Sequence, residues 1–138
     1  MSATSAFFVT PKNITAQLLN ADGINTLKTV YTPTTAAKLA SLMITSTETA
    51  VAHDVNIYVT KGGVDYLLGT VSVPINSGFT SGAPAVNAFN STNMPGLAVD
   101  SDGNRYLMLE ATSVLKASVP VIVTAAKALN FAGYGAEL

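Results

Sequence analysis

Two alternating segments joined by a pair of glycines constrain this chain more than any other feature. In Asp54 to Lys61, Val55, Ile57 and Val59 fall on one side and Asn56, Tyr58 and Thr60 on the other. A period of two marks a strand with one buried face. Val64 to Val73 repeats the pattern, with Leu67, Gly69, Val71 and Val73 on one face, and Pro74 closes it. Only Gly62 and Gly63 lie between the two segments. A two-residue link of type I′ needs positive φ at both central positions, which glycine adopts without a steric penalty. The sequence therefore predicts a tight β-hairpin.

Other segments read in the same way. Ile14, Ala16 and Leu18 alternate like a strand, although Asn13 could cap a short helix carrying Ile14, Leu18 and Leu19. Asp22-Gly23 is a turn signal, and Thr26 to Thr32 alternates again until Pro33. Because β-branched residues dominate, strand, turn, strand is the more consistent reading. In Ala37 to Thr47 both faces are apolar, Leu39/Met43 and Leu42/Ile44, as expected of a strand buried on both sides. Glu48 to His53 reads as a loop, Arg105 to Glu110 as a strand, and Leu115 to Leu129 as one or two more. Pro120 must sit at a strand start or edge. Residues 75–97 are rich in Gly, Ser, Asn and Pro and exceed the usual connection length. Val86, Phe89, Met94 and Leu97 give that stretch apolar anchors, so an ordered loop is expected. Seven or so short strands without a long amphipathic helix predict an all-β fold, a β-sandwich or jelly roll. Residues 1–13 read as an N-terminal arm and 14–138 as one domain.

Charge then narrows the function classes. Charged residues make up 11% of the chain, less than half the usual share of about 25%, while 49% are hydrophobic. A chain so poor in charge relies on Ser, Thr and Asn for solubility or covers its surface with partners. Seven basic residues against eight acidic ones, with no basic run, leave no electrostatic footprint for nucleic acid. No apolar run approaches the ~18 residues of a membrane span. Without cysteine there is neither a disulfide nor thiolate chemistry. The N-terminus lacks the charged and apolar regions of a secretory signal, so cytoplasmic synthesis is expected.

The strongest chemical motif is Asp100, Asp102, Gly103 and Asn104, which resembles the opening of a calcium loop. A full loop needs glycine at position 6 and an acid at position 12. Counted from Asp100, Gly103 falls at position 4 and Ala111 at position 12, so a turn is the better reading. The one histidine, His53, lies beside Asp54 in a polar stretch and reads as a surface residue. No serine sits in a Gly-x-Ser-x-Gly elbow, no glycine pair forms a phosphate loop, and no carboxylate pair can be assigned to a cleft. The sequence predicts no enzyme and no cofactor. It does show apolar anchors in the arm, the long loop and the tail FAGYGAEL, which suits contact with other proteins. Phe7, Phe8, Val9, Phe79, Phe89, Phe131 and Tyr134 are the expected interface residues.

The run from Asp22 to Thr32, DGINTLKTVYT, followed by Lys38 to Thr47, KLASLMITST, resembles small structural proteins of tailed bacteriophages. The Gly-Gly hairpin and Pro95-Gly96-Leu97 ahead of the Asp100 turn are similar in style, so the resemblance covers residues 20–110. It implies a capsid decoration, or cement, protein with a β-sandwich or jelly-roll fold. Such a protein sits on the virion exterior, ties neighbouring major capsid protein subunits together, and associates with itself as a dimer or trimer on a symmetry axis. The family supplies no functional residues to carry over. The alternative is a tail or fibre module recognising a host glycan, assisted by calcium at Asp100 and Asp102.

Overall fold

The computed structural model describes residues 10–79 and 82–138, so Phe7, Phe8 and Val9 lie outside the described residues. In chain order these form β1 (Thr10–Leu19), a single 3-10 turn (Asn20–Asp22), β2 (Lys28–Tyr31), β3 (Ala37–Ser46), β4 (His53–Lys61) and β5 (Val64–Val73). There follow β6 (Val86–Asn87), β7 (Ala98–Val99), β8 (Arg105–Leu109), β9 (Val114–Ser118) and β10 (Ala128–Glu137). One antiparallel sheet runs β1-β10-β3-β8-β7, with β6 also paired to β3, and the other runs β2-β9-β4-β5. Together they make an all-β sandwich, the fold class the strand periodicity predicts.

The hairpin forms as expected. Lys61 pairs with Val64, and Gly62 and Gly63 carry φ of 61° and 78°. Val55, Ile57, Val71 and Val73 are buried, yet Leu67 is exposed despite its place in the same alternation. A register shift between Ile57 and Tyr58 leaves Leu68 without an opposite partner and reverses the phase beyond it. The outer half of β5 therefore projects past the core with Val64, Tyr66 and Leu67 exposed.

A second phase change corrects the reading of β3 as buried on both sides. Leu39, Leu42 and Ile44 all face the core, while Lys38, Ala40, Ser41 and Met43 do not. Opposite Tyr134 and Gly135 of β10 stand Ser41 and Leu39, so Ala40 is a bulge. Two half-patterns of opposite phase, each buried on one face, mimic a strand that is apolar all round.

Residues 131–137 of the segment FAGYGAEL belong to β10, which is paired along its length with β1 and also with β3. Its two glycines have a steric cause in the bulge. A Cβ on Gly133 would lie 2.0 Å from the Ser41 carbonyl oxygen, and one on Gly135 would lie 2.3 Å from that of Lys38. The strand reading of Ile14 to Leu18 holds, since Ile14 and Leu18 point into the core. β1 begins inside the stretch read as an arm, with Thr10 opposite Glu137.

The core joins Ile14, Leu18, Leu39, Leu42, Ile44, Leu129 and Phe131 of the larger sheet to Val55, Ile57, Val71, Val73 and Leu115 of the smaller. Each such side chain stabilises the fold by about 1.5–3 kcal/mol through removal of apolar area from water. The long loop is ordered as expected wherever it is described. Ala88, Phe89 and Met94 reach the core, and Val86 and Leu97 pack against it.

A buried glutamate closes each end of the sandwich. At the end holding Thr10 and the hairpin tip, Glu137 accepts hydrogen bonds from Tyr31 Oη at 2.5 Å and from the Thr34 and Thr35 amides at 2.7 Å each. It thereby fastens the β2–β3 turn. The Thr35 amide and the Tyr31 hydroxyl hold its carboxyl below the usual carboxylate range, and the same contact pushes the Tyr31 hydroxyl up on top of the effect of burial. At the opposite end Glu48 Oε2 lies 2.5 Å from His53 Nε2 and accepts the Thr124 amide at 3.1 Å. Burial raises the Glu48 carboxyl, but the His53 and Thr124 hydrogen bonds outweigh it and the net shift is downward. His53 is therefore no surface residue: its side chain is fully enclosed, and Nδ1 has no partner among the described residues.

Candidate functional site

β3 is paired to β8 through Ala37, Lys38 and Leu39, and to β6 through Met43 and Ile44. Between these partners, at residues 40–41, that side of the sheet splits, since the Leu42 carbonyl still accepts the Ala88 amide at 2.9 Å. The split coincides with the Ala40 bulge, and both lie beneath the long loop. The outcome is a trough of about 640 Å³ on the outer face of the larger sheet. Its floor is Ala40 and Ser41, both small.

Aromatic rings flank that floor. β10 places Tyr134 opposite Ser41, and β8 runs from Leu107, opposite Leu39, to Tyr106. Their strands are two spacings apart, about 10 Å. Tyr134 is 60% exposed. Tyr106 carries Lys38 Nζ 4.3 Å above its ring centroid, a cation–π contact that steadies both.

The polar rim is tied down by the backbone. Asn87 Oδ1 accepts the Phe89 amide, Asn90 Nδ2 donates to the Asn87 carbonyl, and Asn90 Oδ1 accepts the Asn93 amide. Phe89 is buried below this rim of the loop. On the far side Arg105 donates from one guanidinium nitrogen to the Pro95 and Leu97 carbonyls at 3.3 and 3.0 Å.

Asp100 lines the same trough. Its Oδ1 accepts the Asp102 and Asn104 amides at 2.9 Å each, and its own amide donates to the Asn104 carbonyl. Asp100 thus shapes the turn that joins β7 to β8. Among the described residues no three His, Cys, Asp or Glu side chains gather where they could hold a metal ion.

The expected interface residues do not converge. Phe89 and Phe131, placed at an interface by sequence, are core residues, at 3% and 2% exposed. Their rings are spent on internal packing and are closed to a partner. Phe79 is half exposed, next to the two undescribed residues 80 and 81, and does not line the trough. Of the set, Tyr134 and Phe89 line it, and Tyr134 is the exposed one of the two. Tyr106, Lys38, Ser41, Asn87 and Asn90 were not singled out by sequence. One signal was present: a tyrosine between two glycines, opposite a strand whose alternation changes phase.

Apolar surface also collects at both ends of the sandwich. At the hairpin tip, Val64, Tyr66 and Leu67 are exposed, and Lys61 is ion-paired to Glu110 of the neighbouring turn. At the other end the loop after β1 crosses the loop after β9. The Asn25 amide donates to the Val119 carbonyl at 2.8 Å, and Asn20 Nδ2 donates to that of Val123 at 2.9 Å. Ile24, Val121 and Ile122 are exposed on this crossed pair. No family model matches the chain, and no curated protein matches it significantly.

Proposed function

We propose that this chain is a structural virion protein that binds the outer surface of a phage capsid and ties neighbouring major capsid protein subunits together. One observation carries the reading. Six exposed apolar side chains form two groups of three at opposite ends of one sandwich, Val64/Tyr66/Leu67 and Ile24/Val121/Ile122. A clamp needs two separated contact surfaces on a body that does not bend between them. Each seam it spans gains buried area, and linked contacts raise avidity without any one being strong. The low charge content suits this role, since few ions must be desolvated on docking. Self-association into a dimer or trimer on a capsid axis would multiply the contacts again.

Co-sedimentation of the purified chain with shells assembled from the major capsid protein tests the proposal. Saturable binding at a fixed copy number per shell is expected. Leu67→Asp and Ile122→Asp should each weaken it at least tenfold, because both ends are required. Protein that stays in the supernatant at every shell concentration would end the proposal.

A further inference from the structure

We infer that the trough between Tyr134 and Tyr106 is a binding site for an uncharged, hydroxyl-rich glycan, a second activity beside capsid binding. Three departures from regular sheet geometry meet at this one place: the Ala40 bulge, the split of the sheet between β6 and β8, and the long loop. Each costs the fold something. The bulge demands glycine on both sides of Tyr134, where any Cβ would strike the β3 backbone. What the departures yield together is an exposed tyrosine, a small-residue floor and a second tyrosine across it. Broken local rules of this kind collect at functional sites.

The chemistry of the walls selects the ligand class. The volume lies within the usual range for ligand sites, and the trough is open to solvent, so a ligand longer than the trough can extend out of it. Tyrosine rings offer flat apolar faces to the C–H face of a sugar ring and hydroxyls to its edge. The Ser41 hydroxyl, Asn87 Nδ2 and the Asn104 side-chain amide, none of them used by the rim's own hydrogen bonds, add donors and acceptors that match hydroxyl groups. Charge does not favour an anion. Lys38 is held over the Tyr106 ring, Arg105 is taken by two carbonyls, and Asp100 opposes them. An extended peptide docks along a free sheet edge several residues long, whereas the unpaired stretch of β3 here is only residues 40–41, closed at both ends by β6 and β8.

Titration of the ¹⁵N-labelled chain with neutral oligosaccharides of glucose, galactose, mannose and N-acetylglucosamine, followed by amide NMR, tests the inference. At least one should produce saturable shifts centred on Ser41, Asn87, Asn90, Tyr106 and Tyr134. Tyr134→Ala, at an exposed position that does not endanger the fold, should weaken that binding at least tenfold, and Tyr134→Phe should retain most of it. Three results would overturn the site: no saturable shift with any sugar, shifts centred elsewhere, or Tyr134→Ala binding like the parent. Saturable shifts of these amides by polyphosphate or by a peptide of residues 1–13, with none from sugars, would also overturn it and assign the trough to that ligand. Shell binding is measured separately and does not depend on the outcome.

Discussion

Two pairs of glycines serve this molecule in opposite ways. Gly62 and Gly63 make the β4–β5 turn, where the backbone needs positive φ and an added Cβ would meet nothing within 4 Å. Gly133 and Gly135 sit in β10, where the conformation is ordinary and an added Cβ would collide with the backbone of β3. The first pair answers to its own local geometry, the second to a strand that lies about ninety residues away in sequence. Stability in the first region is thus a matter of turn chemistry. In the second it depends on long-range fit, as it does around the buried carboxylates.

The largest effect should come from a long-range site. His53→Leu removes the partner of Glu48 and leaves a buried carboxylate with the Thr124 amide, so a loss of about 3–5 kcal/mol is expected in urea unfolding. The double variant Glu48→Gln/His53→Leu should be more stable than the single one, because the orphaned charge is gone. A double variant less stable than the single would mean that the pair is not what closes this end. Next comes Gly133→Ala, with a loss of about 3 kcal/mol, since the Ser41 carbonyl belongs to a backbone that cannot rotate away. An alanine accepted there without cost would show the bulge to be looser than the contact implies, and the contrast between the two glycine pairs would fail.

Legibility in the sequence follows the same division. The hairpin, β8, the ordered long loop and the turn at Asp100 could be read because their causes are local: alternation, glycine pairs, anchors and side-chain-to-amide geometry. The bulge could not. Leu39, Leu42 and Ile44 look like two apolar faces until β10 is laid beside them, and Phe131 and Phe89 look like contact residues until both sheets close over them. His53 looked like a surface residue because its partner, Glu48, appeared to belong to the same polar loop. Of the trough, Tyr134, Phe89 and the Asp100 turn were each in view, but not their meeting, since its walls come from four separated segments.

Glu137 gives a smaller, pH-dependent test. Its folded carboxyl is held below the usual value, so its contribution is present above the ordinary carboxylate range and is lost as pH falls through the lowered value. Glu137→Gln keeps an acceptor for the Thr34 and Thr35 amides and should cost only about 1–2 kcal/mol near neutrality. Between about pH 6 and about pH 3 the variant should lose stability less steeply than the parent, because one depressed carboxylate no longer titrates. Parallel pH profiles would remove Glu137 from the acid response and leave Glu48 and Asp22, whose shifts have the same sign, to account for it.

The smallest effect belongs to the hairpin. Gly62→Ala places an alanine at φ of 61° with open space around it, so the cost is conformational alone, about 1 kcal/mol. The tip lies beyond the buried part of β4 and β5, and Val64, Tyr66 and Leu67 beside it are already exposed. Nothing in the core should respond, and the unfolding slope in urea should stay unchanged. Shell binding should fall only as far as the alanine turn tilts the tip. A loss several times larger in stability would mean that the tip is packed against the rest of the chain, and a packed tip is not a projection free to meet a capsid.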